Sequence, residues 1–568
     1  MIHKLKVSSK LALIALSILL LSSCSDVLTK NQIKPIIWGC NPVSTKQKLQ
    51  NFSSGKIEPH PLDLGRYLFY SIHMFAKTKD PFFSDLSNRY LSLINKLYKN
   101  PEYFNNGSFK YNFPHGSIKP GWWSGMANSA LVAGLTYADH VLETDNQQII
   151  NELIKNLSTS YKLGGSLRDE DGESWILEYA WSGMEEESIK SVFNGFAFSL
   201  VCLETANQIS NNKILDNLVK NGVKALKEQT NRFYYENIKW TKYDLVPTIE
   251  SPHYAIFDIM LLESLGELLS SEDEWLAKDI DKRREILKNG YKLELCSEKI
   301  AGYSVLFSLI GPPHPYWIDI YPIELELLFS NGERRIVKSH PPKDLKIHIA
   351  DRGFVKVNLT KEDYKTLISV KVNAVYSGEE QEIATYKKSE LTLIKKSELL
   401  PLTIETKSLI VGFDGTQKEG YIQIEPENKF DYENENYRNN IAQIIFPFKE
   451  SQNFKENENI VLKVENNMDI SPHMFFLYTE SGKVFQRYYL PIKKGKNLIV
   501  LNTTGFKGSN NAEKITKMVW RIFTSKMAEG GSLKFHNILK TKNNYQLMKS
   551  LKNDDFVFEE KKNKGNIY

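Results

Sequence analysis

Three stretches of this chain set side chains capable of chemistry close together. In ESWILEYAW, Glu178 and Tyr179 place a carboxylate beside a phenol, between Trp175 and Trp181, and SVFNGFAFSL follows with Asn194 and Gly195 inside an apolar run. An amide in such a run must find hydrogen bonds, in the fold or on a ligand. KPGWWSGMANSA, from Lys119 to Ala130, puts Trp122 and Trp123 directly after Pro120-Gly121 at a helix mouth. RFYYENIKWTKYDLVPTIESPHYAIFDIMLL offers Tyr235 in an aromatic loop and His253-Tyr254 at the start of an apolar helix. Aromatic rings present flat apolar faces that suit pyranose CH groups, and they serve equally as packing. The chemistry on offer is sugar recognition with a titratable carboxylate and phenols at hand.

These stretches interrupt a helical region. From 56 to 292 the apolar residues recur at helical spacing in eight segments, separated by Asp and Asn punctuation. Some segments are almost wholly apolar (AFSLVCL, AIFDIMLL), whereas others have one apolar and one charged face. Inner and outer helices of an α/α toroid differ in that way. The pattern predicts an incomplete (α/α)n barrel over 56–292, with the aromatic loops shaping a cleft at one end.

After 293 the period changes to two. IDIYPIELELLF and TLISVKVNAVY read as strands of an immunoglobulin-like β-sandwich over 293–400. A second run, from LTIETKSLIVGF to GSLKFHNIL, reads as a jelly-roll, carbohydrate-binding-like sandwich over 401–545. The Lys/Asn-rich residues 546–568 read as a flexible tail.

The N-terminus carries an address. Lys4, Lys6 and Lys10 precede the apolar run LALIALSILLLSS, which is too short to span a membrane, and Cys24 follows. This resembles a bacterial lipoprotein signal, residues 1–23, cut before a lipid-bearing Cys24. Residues 24–55 then read as a tether. The expected location is the bacterial cell envelope, lipid-anchored in the periplasm or at the outer surface. Losing three lysines and no acids would lower the net charge from +5 to +2, so a nucleic-acid partner gains no support. Cys40, Cys202 and Cys296 show no metal or redox spacing. Walker A, GxGxxG, HExxH and GxSxG motifs are absent from the sequence. No cofactor and no metal are expected.

In order and spacing the three stretches resemble the C-terminal domain of D-glucuronyl C5-epimerases, which convert glucuronate to iduronate within polysaccharide chains. KPGWWSGMA resembles that family's PGW-x-S-x-MA signature, and VFNGFAFSL resembles its LNGF-x-YSL helix. HPLDLGRYLFY, from His60, is similar to the family's opening helix. The resemblance covers roughly 58–270. It implies Glu178, Tyr179, Tyr235 and Tyr254 as catalytic residues. It leaves Trp122, Trp123, Asn194 and His253 for the sugar, and Lys119, Arg66 and Lys239 as counter-charges for its carboxylate.

The implied reaction removes the C5 proton on one face of a uronate and returns one on the other, which needs acid–base groups on both sides. Glu178 and Tyr179 would serve one face and Tyr254 the other. The chain departs from the family at YAIFDIM and ENIKW, where the family has histidines and an arginine. For a bacterial lipoprotein the expected partner is an acidic, uronate-containing polysaccharide such as a capsule or exopolysaccharide. A polysaccharide lyase, a glycoside hydrolase on the same toroid and a non-catalytic glycan-binding or export lipoprotein are the alternatives.

Overall fold

The computed structural model describes residues 28–115, 118–170, 173–235, 239–245, 250–270, 273–296, 304–310, 323–340, 347–349, 352–376, 379–393, 399–401, 410–412, 417–418, 422–423, 440–454, 459–466, 473–481, 484–489, 494–502, 512–524, 532–541 and 557–563. The signal segment 1–23 and Cys24 lie outside the described residues. The chain divides into two compact units. One is Met1–Tyr234 with Lys242–Thr248 and Tyr254–Arg283; the other is Tyr235–Thr241 with Ile249–His253 and Arg284–Tyr568.

The first unit is helical. Helix α1 (Lys30–Ile37) and α2 (Pro42–Ser53) open it. Four hairpins follow: α3 (Pro61–Thr78) with α4 (Pro81–Tyr98), α5 (Gly125–Leu142) with α6 (Gln147–Ser158), α7 (Phe193–Ser210) with α8 (Lys213–Gln229), and α9 (Pro252–Leu269) with α10 (Glu274–Gly290), of which Pro252-His253 and the residues from Arg284 on are grouped with the second unit. Local signals set several boundaries. Proline occupies the first turn of α2, α3 and α4, where its missing N–H costs nothing. Ser124 caps α5 by accepting from Ala127 N, and Asp80 caps α4 by accepting from Phe82 N. Lys79, Glu143 and Asn211 end α3, α5 and α7 in the left-handed conformation.

Burial separates two kinds of helix. Every residue of α5 from Gly125 to Ala138 and of α7 from Phe193 to Ala206 is buried. The intervening α6 buries mainly the stripe Ile149, Ile150, Leu153, Ile154 and Leu157. The inner faces pack in series, α3 on α5 and α5 on α7. α9 lies beside α7, with Phe198 and Phe257 ring centroids 6.2 Å apart. At the α3–α5 crossing a Cβ on Gly65 would come within 2.6 Å of the Ala130 carbonyl carbon. Only glycine allows that backbone approach.

The segment expected to be a tether is folded from Lys30 onward. Ile33 and Ile36 are fully buried, Trp38 stacks on Phe257 at 4.6 Å, and the Tyr90 hydroxyl donates to Thr45 O at 2.8 Å. Arg66 donates to Ile36 O and Trp38 O. Two helices this short, with Pro35 inside one of them, give too few apolar residues to show a period. Tertiary contacts rather than local pattern hold them.

The second unit is built of sheets. A five-stranded sheet runs β15-β14-β10-β11-β28, with β10 at Ile323–Phe329, β11 at Arg334–His340, β14 at Leu367–Tyr376, β15 at Glu379–Lys387 and β28 at Val557–Asn563. In β10 the odd positions are buried and the even ones are not, as a period of two requires. β12 (Ile347–Ile349) pairs in parallel with β25 (Gly495–Asn502). The two β segments therefore share strands across the boundary expected at 400–401. β28 also corrects the flexible tail, since it pairs with β11 from Val557↔His340 to Asn563↔Arg334. Its charged residues are those of an edge strand, which composition alone reads as loose chain.

Candidate functional site

The Glu178–Tyr179 pair is held by backbone. Strands β4 (Leu167–Glu170) and β5 (Glu173–Ile176) form a hairpin that delivers Leu177, whose N–H donates to Ser166 O at 2.8 Å. Gly125 N donates to Leu177 O at 2.9 Å, and Trp123 and Ala180 exchange hydrogen bonds at 2.8 and 2.9 Å. Residues 177–180 are thereby clamped across the start of α5. The small residues of the PGWWSGMA stretch explain this approach, because a Cβ on Gly125 would collide with Leu177 O and Ile176. Gly195 of α7 does the same for the carboxylate. A Cβ there would meet the Glu178 carboxyl oxygen and come within 2.8 Å of its Cβ.

An aromatic group surrounds Tyr179. Its ring stacks on His115 at 4.8 Å and 10°, and lies 5.7 Å from Trp122. Trp122 in turn stacks on Tyr111 at 3.9 Å and donates Nε1 to Phe113 O at 2.9 Å. His60 meets Tyr111 edge-on at 4.8 Å. Across the site the Tyr179 and Tyr243 hydroxyls are 3.2 Å apart, and the Tyr243 ring lies 5.4 Å from that of Tyr254. Tyr243 is fixed by its neighbours. Phe193 N donates to Tyr243 O at 3.2 Å, and Leu245 N to Ser191 O at 3.2 Å. Tyr254, on the first turn of α9, is 40% exposed.

Burial tunes the titratable groups. It lifts the Glu178 carboxyl to about 7, with the Tyr179 hydroxyl working against it. Glu178 keeps some exposure as a residue, but its Oε2 has none and has no hydrogen-bond partner among the described residues. Burial first, and then the Glu178 charge, push both Tyr179 and Tyr243 well above the usual phenol range. His115 is held below the usual histidine range by burial and by Lys190. The arrangement is a carboxyl poised near neutrality beside two mutually bonded phenols. It can take, hold and return a proton.

Of the residues singled out in the sequence, the first unit joins Glu178, Tyr179 and Tyr254 through Tyr243, with Trp122 beside them. Asn194, next to Gly195, is 3% exposed, and its Nδ2 has no hydrogen-bond partner among the described residues. Lys119 is exposed on the loop before Trp122.

The expectations for Trp122, Trp123 and Arg66 fail. Trp122 and Trp123 are 4% and 2% exposed, so neither is an open sugar platform. Trp123 lies under Lys110, whose Nζ is 3.6 Å from the ring centroid. Arg66 is committed to main-chain carbonyls and is no counter-charge. Tyr235, Lys239 and His253 fall in the second unit, and the tyrosine bonded to Tyr179 is Tyr243. Sequence reasoning missed Tyr243, Tyr111, His60 and His115. Tyr243 stands in the same aromatic run as Tyr235, and only the pairing with residues 191–193 distinguishes it. Among the described residues no three His, Cys, Asp or Glu side chains gather to hold a metal ion.

Comparison with known proteins adds the following. No curated protein matches the chain. Among solved structures it is similar to cellobiose 2-epimerase from Bacillus thermoamylovorans B4167, at 12% identity and TM-score 0.31, covering 40% of this chain and 60% of that one. It is also similar to unsaturated glucuronyl hydrolase from Bacillus sp. GL1, at 13% identity and TM-score 0.34, covering 46% of this chain and 74% of that one. The chain thus spans about three fifths of the cellobiose 2-epimerase it matches. Residues 99–285, which hold Glu178, Tyr179, Tyr243 and Tyr254, match the family model of the D-glucuronyl C5-epimerase C-terminus.

Proposed function

We propose that this protein modifies an acidic polysaccharide as a uronate C5-epimerase, with the helical unit as its catalytic part. The observation that carries the reading is the Tyr179–Tyr243 hydroxyl pair, 3.2 Å apart, beside the buried Glu178 carboxyl. The succession of hairpins, with buried helices packed on one another, supports an incomplete α/α toroid. We read the sheets as two β-sandwiches that present or carry the glycan.

Both phenols are protonated at neutral pH, because burial raises them. Glu178, lifted to about 7, is available there in part as the carboxylate. Tyr179 takes the C5 proton as its own phenolic proton passes to the Glu178 carboxylate. The Tyr243 hydroxyl donates to the phenoxide that forms in transit. The C5 electron pair moves into the substrate carboxylate. Tyr254, whose ring lies 5.4 Å from that of Tyr243, returns a proton to the other face. Base and acid then re-equilibrate with solvent, and no oxidant or co-reactant is consumed.

Cys24 would tether this unit to the envelope. Helix α1 begins at Lys30, so few residues would separate a lipid on Cys24 from the folded body. Fractionation of cells producing the Cys24→Ala variant tests this: the protein should leave the membrane fraction.

The activity itself is tested by incubating the full chain with uronate polymers in deuterated water and reading C5 by NMR. Deuterium at C5 with inverted configuration and an intact chain is expected. Unsaturated chain ends would mean a lyase, and no exchange on any uronate polymer would refute the reading.

A further inference from the structure

The geometry points to His115, with Lys190 nearby, as the group that receives the substrate carboxylate beside Tyr179. This rests on the uronate reading above and supplies what that reading lacks, a cation at the site. Arg66 is spent on main-chain carbonyls, and Lys110 is buried over the Trp123 ring. Glu178 and the three phenols contribute no positive charge. A uronate bound next to them needs one, because an unpaired carboxylate in a partly desolvated site is costly.

His115 is exposed and correctly placed. Its ring lies parallel to that of Tyr179, centroids 4.8 Å apart, and 5.6 Å from Trp122. An antiparallel bridge to Ile118 holds it there. His115 N donates to Ile118 O at 3.0 Å and Ile118 N returns a bond at 2.9 Å. Phe113, at the base of the same loop, accepts from Trp122 Nε1. Lys119 follows Ile118 and is exposed.

The titratable groups facing His115 are the Tyr179 phenol, Lys190 and His60. Lys190 and His60 oppose a charge on His115 when no anion is present. A carboxylate at His115 reverses this, since the imidazole then gains an opposite charge beside the like one. Binding would take up a proton on His115. It would place the C5 carbon, one bond from the carboxyl, within reach of Tyr179.

The test is calorimetric titration of the full chain with a glucuronate oligomer and with its methyl ester, which differs only in charge. The wild type should prefer the acid by about tenfold or more, as expected for a charge-assisted contact. His115→Gln and Lys190→Gln should each lose that preference while binding the ester as before. His115→Arg should keep it and lose the weakening that the wild type shows as pH rises. In turnover the Gln variants should raise KM and also lower kcat, because the carboxylate they release is where the C5 electron pair goes in the transition state. Equal binding of acid and ester by the wild type overturns the proposal, as does a preference that survives both Gln substitutions. A His115→Gln variant that loses the ester equally would mark a structural role and also overturn it. Deuterium exchange by the wild type in those cases leaves the epimerase reading standing; absence of both exchange and binding removes both.

Discussion

The hydroxyls of Tyr179 and Tyr243 lie 3.2 Å apart although 64 residues separate them in the chain. Each is carried by a loop, and each loop is fixed by main-chain hydrogen bonds to the start of a buried helix. Tyr179 follows a segment pinned to Trp123 and Gly125, and Tyr243 accepts from Phe193 N at 3.2 Å. The pair therefore has the rigidity of α5 and α7, although neither tyrosine lies on a helix. That is the pre-organisation proton transfer requires.

Removing either hydroxyl should separate chemistry from folding. Tyr179→Phe and Tyr243→Phe keep the rings and their stacking, so thermal unfolding should stay close to wild type. Deuterium exchange at C5 should fall about 10²–10⁴-fold for Tyr179→Phe, the usual range for a lost general acid–base group. Tyr243→Phe should cost less, since it only stabilises the phenoxide. The double variant should be no worse than Tyr179→Phe alone, because the two act as one unit. Additive losses would show that they act separately.

This division between helix and loop explains what the sequence made legible. The eight helices of the hairpins follow from apolar period and from caps such as Ser124 and Asp80, which are local properties. Glu178, Tyr179 and Tyr254 stood out by residue type and position. Tyr243 did not, because its partner is set by pairing with residues 191–193, a contact no local pattern encodes. Arg66 failed for the opposite reason. Its type suits a carboxylate, but α1, too short to show a period, places Ile36 O and Trp38 O where the guanidinium reaches them.

Glu178 predicts a particular pH dependence. Burial lifts its carboxyl from 4.5 to about 7. Below 4.5 it is protonated in both folded and unfolded chains and has no effect. As pH rises toward 7 the folded chain holds its proton more tightly than the unfolded one, so stability falls. Above 7 the cost levels off at about 3 kcal/mol, the free-energy equivalent of that shift. Glu178→Gln removes the titration. Its melting temperature should exceed that of wild type at pH 8 by more than at pH 5, while C5 exchange is lost at both. A variant that tracks wild type across this range would mean that Glu178 titrates as an ordinary carboxyl.

Two glycine substitutions should fail in different ways. At Gly195 the added Cβ meets the Glu178 side chain, part of which can move aside. Gly195→Ala should cost about 1–3 kcal/mol, in the range of overpacking, and most of the activity, because the carboxyl is displaced. At Gly65 the added Cβ meets the backbone of Ala130 and Leu131 at 2.6 Å, which cannot yield without parting α3 from α5. Gly65→Ala should lower soluble yield and the unfolding midpoint more than Gly195→Ala does. Equal destabilisation at the two positions would contradict the distinction.

Arg283 links stability to the site. It is buried between Asp258 at 2.6 Å and Asp279 at 3.0 Å, and Asp279 also accepts from Thr230 and Tyr234. The guanidinium carbon lies 3.8 Å from the centre of the Phe193 ring, and Phe193 N holds the Tyr243 carbonyl. Arg283→Met leaves two buried carboxylates without their cation, at a cost of about 3–5 kcal/mol. Adding Asp258→Leu and Asp279→Asn removes the stranded charges and should recover more than half of the loss in urea unfolding. C5 exchange should stay impaired in the triple variant, because Phe193 loses the surface that fixes it and Tyr243 loosens with it. Full recovery of exchange would show that the Arg283 cluster stabilises the helices without positioning Tyr243.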